Sequence, residues 1–317
     1  MTTALLAPSP AIVFRRSGVF WPVVALTVVL AAVASVYSAP DWVAVVVVVA
    51  VVAALGIPHG AVDHLVAEAI ASPPQASSRW RFMRNYVLAM LAVGAVWIVA
   101  PALALVGFLA LSVHHFGQSD LADLGLSATR VSAVQWSRGL LLVGLPLVAH
   151  LGTVGPVIER LGGGDPSSWT WLVDRSMIVA TALVAQHLAV GWTLTRGLVA
   201  RSTLQREAIA VAALTALFLT ADPLLAFAVY FGLWHSLTHL FVLADVLGTG
   251  PAPLRSVLRL AVPLTAMSLV VLAIVVVGAF VTDRADLIVP SVFVFVSMLT
   301  LPHMVIVERL WRRRPVP

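Results

Sequence analysis

Leu233-Trp234-His235-Ser236-Leu237-Thr238-His239 lies in the middle of an apolar run from about Pro223 to Leu247. That run is long enough to cross a bilayer. As a helix it places His235 and His239 one turn apart on one face. At that spacing two imidazoles can reach one metal ion. Two polar rings at membrane depth are costly unless something satisfies them. Other apolar segments of the chain are expected to bring further histidines to the same depth.

Of 317 residues, 61% are hydrophobic and 10% charged, and the mean hydropathy is +1.02. A soluble domain of this size has no use for so much apolar surface, so the composition predicts a polytopic membrane protein. There is no Cys, which removes disulfides and thiolate ligands. All 19 basic residues are Arg, so a Schiff base to Lys is excluded, and with it a retinal-binding opsin. The net charge of +5 is read as topology signalling from loop arginines, with no nucleic-acid partner. Arg15-Arg16 precede the first apolar run. No small-residue cleavage site follows a short apolar core, so a retained helix is expected there.

Hydropathy predicts an all-α transmembrane bundle of about ten spans: 18–37, 41–60, 83–100, 102–118, 136–157, 172–194, 205–221, 223–246, 257–281 and 286–309. Pro101 and Asp222-Pro223 break two longer runs into tight hairpins. With the N-terminus inside, sixteen arginines fall inside and three (Arg160, Arg175 and Arg284) outside. That bias predicts both termini in the cytoplasm. The expected organisation is a cytoplasmic segment 1–17, a membrane-embedded catalytic bundle 18–310 and a basic cytoplasmic tail 311–317, in a multi-pass protein of the plasma membrane. Gly162-Gly163-Gly164 lacks the flanking strand and helix of a phosphate cradle and is read as a plain loop.

Under this topology the spans carrying His59, His115, His187, His235, His239 and His303 all run from outside to inside. Their imidazoles fall at roughly 18–27 Å depth, at 1.5 Å per residue. Scattered packing does not predict five helices delivering imidazole to one layer. A lone membrane histidine is commonly a hydrogen-bonded core residue, and His150 and His187 are read so. His114 and His115 are adjacent and point about 100° apart, so only one faces a given ion. His64 lies off the face of His59. Asp63 shares that face and is placed to orient a ligand ring. Asp120 follows His115 at a span end. Tyr230, Phe231, Trp234, Phe116 and Phe241 flank the histidines and are candidates to line a slot for a long apolar ligand.

Neutral imidazole suits Fe, Zn, Cu and Ni. Four histidines on iron leave two positions for O₂ chemistry. A zinc hydrolase with Asp63 as base is a composition-compatible alternative, although the chain has no HExxH and no GxSxG. A desaturase-like or lipid-hydroxylating di-iron enzyme needs about eight histidines in several boxes, and this chain has one HxxxH. A metal or proton transporter would spread acids through the full bilayer thickness.

Four stretches, in order, resemble the Brp/Blh family of membrane β-carotene 15,15′-dioxygenases: Gly56-Ile57-Pro58-His59-Gly60-Ala61-Val62-Asp63-His64; His115-Phe116-Gly117-Gln118-Ser119-Asp120; Tyr230-Phe231-Gly232-Leu233-Trp234-His235-Ser236-Leu237-Thr238-His239; and Leu301-Pro302-His303-Met304. The resemblance covers about 40–310. It implies an Fe(II) enzyme that uses O₂ to split β-carotene, or a related apolar carotenoid, at its central double bond into two retinal molecules. It implies His59, His115, His235 and His239 as the iron ligands, and it selects His115 over His114. His303 also matches a family histidine and is expected behind the ligands or in the pocket, together with Asp63, His64, His114 and Asp120. Where the family pattern often has Arg before the last ligand, this chain has Thr238. The substrate would enter from membrane lipid, and a retinal-binding rhodopsin is the implied acceptor of the product.

Overall fold

Apolar segments that cross a bilayer must satisfy every backbone N–H and C=O within themselves, and an α-helix does so. In a computed structural model, which describes residues 18–71, 79–121, 128–163, 170–249 and 252–313, the chain is a helix bundle with no strand among those residues. The helices are α1 Phe20–Ala34, α2 Asp41–Ala69, α3 Arg79–Val99, α4 Pro101–Asp120, α5 Ala128–Ala149 and α6 Leu151–Gly162. They continue with α7 Ser176–Thr195, α8 Arg201–Thr220, α9 Pro223–Leu247, α10 Pro253–Val281 and α11 Ile288–Arg313. Among the described residues nine of these, all except α1 and α6, are long and apolar enough to cross a membrane. The expected segment 1–17 and residues 314–317 of the expected tail lie outside the described residues.

The predicted breaks fall where expected. Pro101 occupies the first turn of α4, where its missing N–H costs nothing. Asp222 caps α9, its Oδ1 accepting from the N–H groups of Leu224 (2.9 Å) and Leu225 (3.2 Å). Two expected spans are corrected: the first, 18–37, forms only the 15-residue helix α1, too short to be counted among the membrane-crossing helices. The run 136–157 is not continuous: α5 ends at Ala149 and α6 starts at Leu151. At the corner His150 Nε2 lies 2.8 Å from the Phe218 carbonyl oxygen. That tertiary contact holds a turn that apolar composition alone cannot show. Arg160, near the end of α6, is tied to Asp286 at 2.9 Å.

The central element is α9. Of its apolar window 67% is buried, against 6–11% for α3, α7 and α10, which turn Leu91, Ile178 and Ile274 outward. An outward apolar face is what lipid contact requires. One core layer joins α1, α5 and α8 to α9 through Phe20, Leu145, Leu214 and Phe218. A second joins α2, α10 and α11 to α9 through Val52, Phe231, Leu272 and Phe295.

Two close approaches position the histidine-bearing helices. A Cβ on Gly117 of α4 would stand 1.9 Å from the Gln135 carbonyl oxygen of α5, and one on Gly139 would stand 1.8 Å from that of Val113. The two helices therefore pack backbone against backbone, which only glycine permits. The second approach is between two π-helical turns in contact, Val52–Gly56 of α2 and Tyr230–Ser236 of α9. Here a Cβ on Gly56 would lie 2.5 Å from Phe231, and one on Gly232 would lie 2.6 Å from Val51. Pro58 has no N–H to complete the α-helical bond back to residue 54, which favours the wider turn just before it.

Candidate metal centre

His59 lies three residues past the π turn of α2, and His235 sits within that of α9. His239 comes one turn later on α9, His115 near the end of α4, and His303 after Pro302 inside α11. These five imidazoles form a closed circuit. Ring centroids are 4.9 Å apart for His115–His235, 5.3 Å for His235–His59, 5.5 Å for His59–His239, 5.3 Å for His239–His303 and 5.3 Å for His303–His115. His59 and His303 also approach across the circuit, at 4.9 Å. All five are buried, with 3–6% of their surface exposed.

An imidazole bound through nitrogen at about 2.0–2.1 Å carries its centroid about 3.2 Å from the ion. Neighbouring ligands on one ion then have centroids about 4.5–5.5 Å apart, the range spanned by the circuit. Both nitrogens of His115 and of His235, and Nε2 of His303, are buried without a hydrogen-bond partner. Bare imidazole nitrogens in an apolar interior are destabilising unless something binds them. By donor chemistry and ring spacing these residues fit a metal ion. The nitrogens are not drawn in to bonding geometry: among the described residues no three His, Asp or Glu side chains already stand as a metal-holding group.

The other sequence candidates are distributed as follows. Asp63 is buried but does not serve His59. Its Oδ1 and Oδ2 lie 3.0 and 2.9 Å from His303 Nδ1. Oδ2 also accepts from the Tyr86 hydroxyl at 3.0 Å, a residue that sequence reasoning missed. His303, expected at the margin, is part of the circuit. His114 points away from it toward Trp136 and Glu308, and His64 stands at the cavity wall. Asp120 pairs with the fully buried Arg138 at 2.6 Å. His187 Nδ1 meets Ser137 Oγ at 3.0 Å. Trp234 faces the opposite core, its Nε1 donating to Thr27 Oγ1 of α1 at 3.0 Å. Phe231 stacks between Phe227 (5.2 Å) and His235 (5.7 Å), and Phe116 packs on both Tyr230 and His235.

His59, His115, His235 and His303 open onto a cavity of about 1230 Å³. Its wall is mostly apolar and includes Phe116, Phe227, Phe231, Trp97 and Met298. The volume exceeds the roughly 300–1,000 Å³ usual for small-molecule sites. Leu91 and Ile98 on α3 and Met267 and Val271 on α10 line it and are also exposed on the flanks of the bundle. An apolar molecule can therefore approach from the side, without crossing water. Val154, Val157 and Ile158 of α6 close part of it.

Comparison with known proteins identifies the family to which the chain belongs. Residues 48–311 match the family described as Beta-carotene 15,15'-dioxygenase. The chain is 25% identical over 291 residues to the Beta-carotene 15,15'-dioxygenase of an uncultured marine bacterium, 66A03, covering 86% of this chain and 94% of that one. It is 27% identical over 283 residues to the Probable beta-carotene 15,15'-dioxygenase Blh of Halobacterium salinarum, covering 80% of each. No solved structure matches the chain significantly.

Proposed function

This chain belongs to the beta-carotene 15,15'-dioxygenase family, and from that premise we propose that it is an Fe(II) enzyme of the plasma membrane, with both termini cytoplasmic, that splits β-carotene with O₂ at the central double bond into two molecules of retinal. The observation that carries the reading is the circuit of five buried imidazoles, with both nitrogens of His115 and His235 and Nε2 of His303 lacking a hydrogen-bond partner, beside a large apolar cavity that four of the five rings line. His59, His115, His235 and His239 would hold the iron. Iron, when bound, supplies the redox chemistry that lets O₂ react with a closed-shell alkene.

The protein's own part is placement and exclusion. The aromatic wall of Phe116, Phe227 and Phe231 would hold the polyene extended with its middle at the histidines. The same wall keeps water from the reacting centre. The stacking of Phe231 on His235 fixes the imidazole plane, so that ring is pre-set. The overall reaction moves no proton: one C=C bond and one O=O bond are exchanged for two C=O bonds, and both oxygen atoms leave in the aldehydes. No general acid or base is needed. This agrees with the cavity, where Asp63 is already engaged by His303 and Tyr86. The released aldehydes are apolar enough to leave by the same lateral openings, toward a retinal-binding protein in the membrane.

Expression in bacteria that make β-carotene tests the reading. The expected result is loss of yellow colour with appearance of retinal in extracts, abolished by His235→Ala or His239→Ala. Intact β-carotene and no retinal, with the protein present in the membrane, would rule it out.

A further inference from the structure

We infer that His303 is a fifth imidazole of the metal centre, and that Asp63 and Tyr86 are the positioning residues that aim it. The inference rests on the reading that the histidine circuit holds a metal. It starts from the hydrogen-bond directions. A carboxylate only accepts, so the contacts of Asp63 with His303 Nδ1 at 2.9 and 3.0 Å put the ring's proton on Nδ1. The Tyr86 hydroxyl donates to the same carboxylate at 3.0 Å, which holds Asp63 in place against rotation. Both partners lie on other helices, α2 and α3, so three helices agree on the orientation of one ring.

The consequence falls on the other nitrogen. Nε2 of His303 then carries a bare lone pair, is buried and has no partner. It belongs to a ring that lies 4.9, 5.3 and 5.3 Å from His59, His115 and His239. A carboxylate behind one nitrogen and an unpartnered lone pair at the other is the arrangement that fixes the tautomer of a metal-bound histidine and raises its basicity. A ring serving only to tie α2 to α11 would need the Asp63 contact alone and would not need to join the circuit. The one motif 59–64 therefore supplies both a ligand, His59, and the clamp for a ligand on a distant helix.

The test is metal binding by the full-length protein purified in detergent, with Co(II) as probe and visible absorption as readout, so that no turnover is required. Wild type should bind Co(II). His303→Ala should bind it at least about tenfold more weakly with an altered ligand-field band, and added imidazole should restore the wild-type band. Asp63→Ala should weaken binding by about 10–100-fold, with Tyr86→Phe moving in the same direction by less. Should His303→Ala not fold, the double variant H303L/D63N, which strands no buried carboxylate, carries the same comparison. His235→Ala is the internal control. If wild type binds no Co(II), or His235→Ala binds as wild type does, the metal-centre reading itself fails. If His235→Ala loses the metal while the His303 variants keep wild-type affinity and spectrum, this inference alone is overturned.

Discussion

Gly117→Ala is the sharpest test of how the bundle positions His115. The added Cβ would lie 1.9 Å from the Gln135 carbonyl oxygen, and real Cβ contacts essentially never fall below 3.0 Å. The obstacle is backbone, so no side chain can swing away. α4 and α5 must separate by at least about 1.1 Å, the difference between those two distances. Such overpacking costs roughly 1–3 kcal/mol. His115 stands two residues earlier on the same helix and moves with it. A displacement of about 1 Å in a reacting constellation lowers the rate by about 100-fold. The assay is retinal formation, scaled to the amount of protein in the membrane. Gly107→Ala on the same helix is the control, since its Cβ meets nothing within 4 Å, and it should behave as wild type. Equal turnover in the Gly117→Ala and Gly107→Ala proteins would refute the claim that backbone contact with α5 holds His115.

Gly56→Ala pushes on a side chain, Phe231 at 2.5 Å, which is itself confined between Phe227 and His235. A loss of activity on the order of tenfold is expected, and unchanged kinetics would show that the ring can yield. Asp120→Ala leaves the fully buried Arg138 without its counter-ion, a loss of about 3–5 kcal/mol. Adding Arg138→Met should recover much of it, as read by thermal melting in detergent, and a single variant as stable as the double one contradicts the pairing. Trp97→Phe removes the bond to Ser297 Oγ at 2.6 Å that ties α3 to α11. It should cost about 1 kcal/mol, and a melting curve identical to wild type would deny that bond any weight. Chelation should abolish retinal formation, and Fe(II) should restore it. Activity surviving exhaustive chelation would argue against iron.

Parts of the site could be read from one dimension because they are local. His235 and His239 share a face by helical periodicity alone, and counting along the apolar runs puts His59 and His115 near the ends of theirs. Direction is harder. Trp234 neighbours His235 in sequence and yet crosses to Thr27 on α1, because adjacent residues on a helix point apart and the π turn shifts the phase again. Asp63 shares a face with His59 but was claimed by His303, 240 positions away. Tyr86 gave no signal beyond being an aromatic hydroxyl in an apolar helix.

Composition and periodicity by themselves determined the helical bundle, the places of its breaks at Pro101 and Asp222, and the shared face of His235 and His239. Segment length in a bilayer, proline geometry and the helical repeat impose those. Only the tertiary structure decided that α5 turns at His150, that His303 closes the circuit while His114 stays outside, and that a cavity of about 1230 Å³ opens beside them. Each of these depends on the rotation of one helix about its axis relative to another. That rotation is set by contacts such as Gly117 on Gln135 and Gly56 on Phe231, which join residues with no spacing relation along the chain.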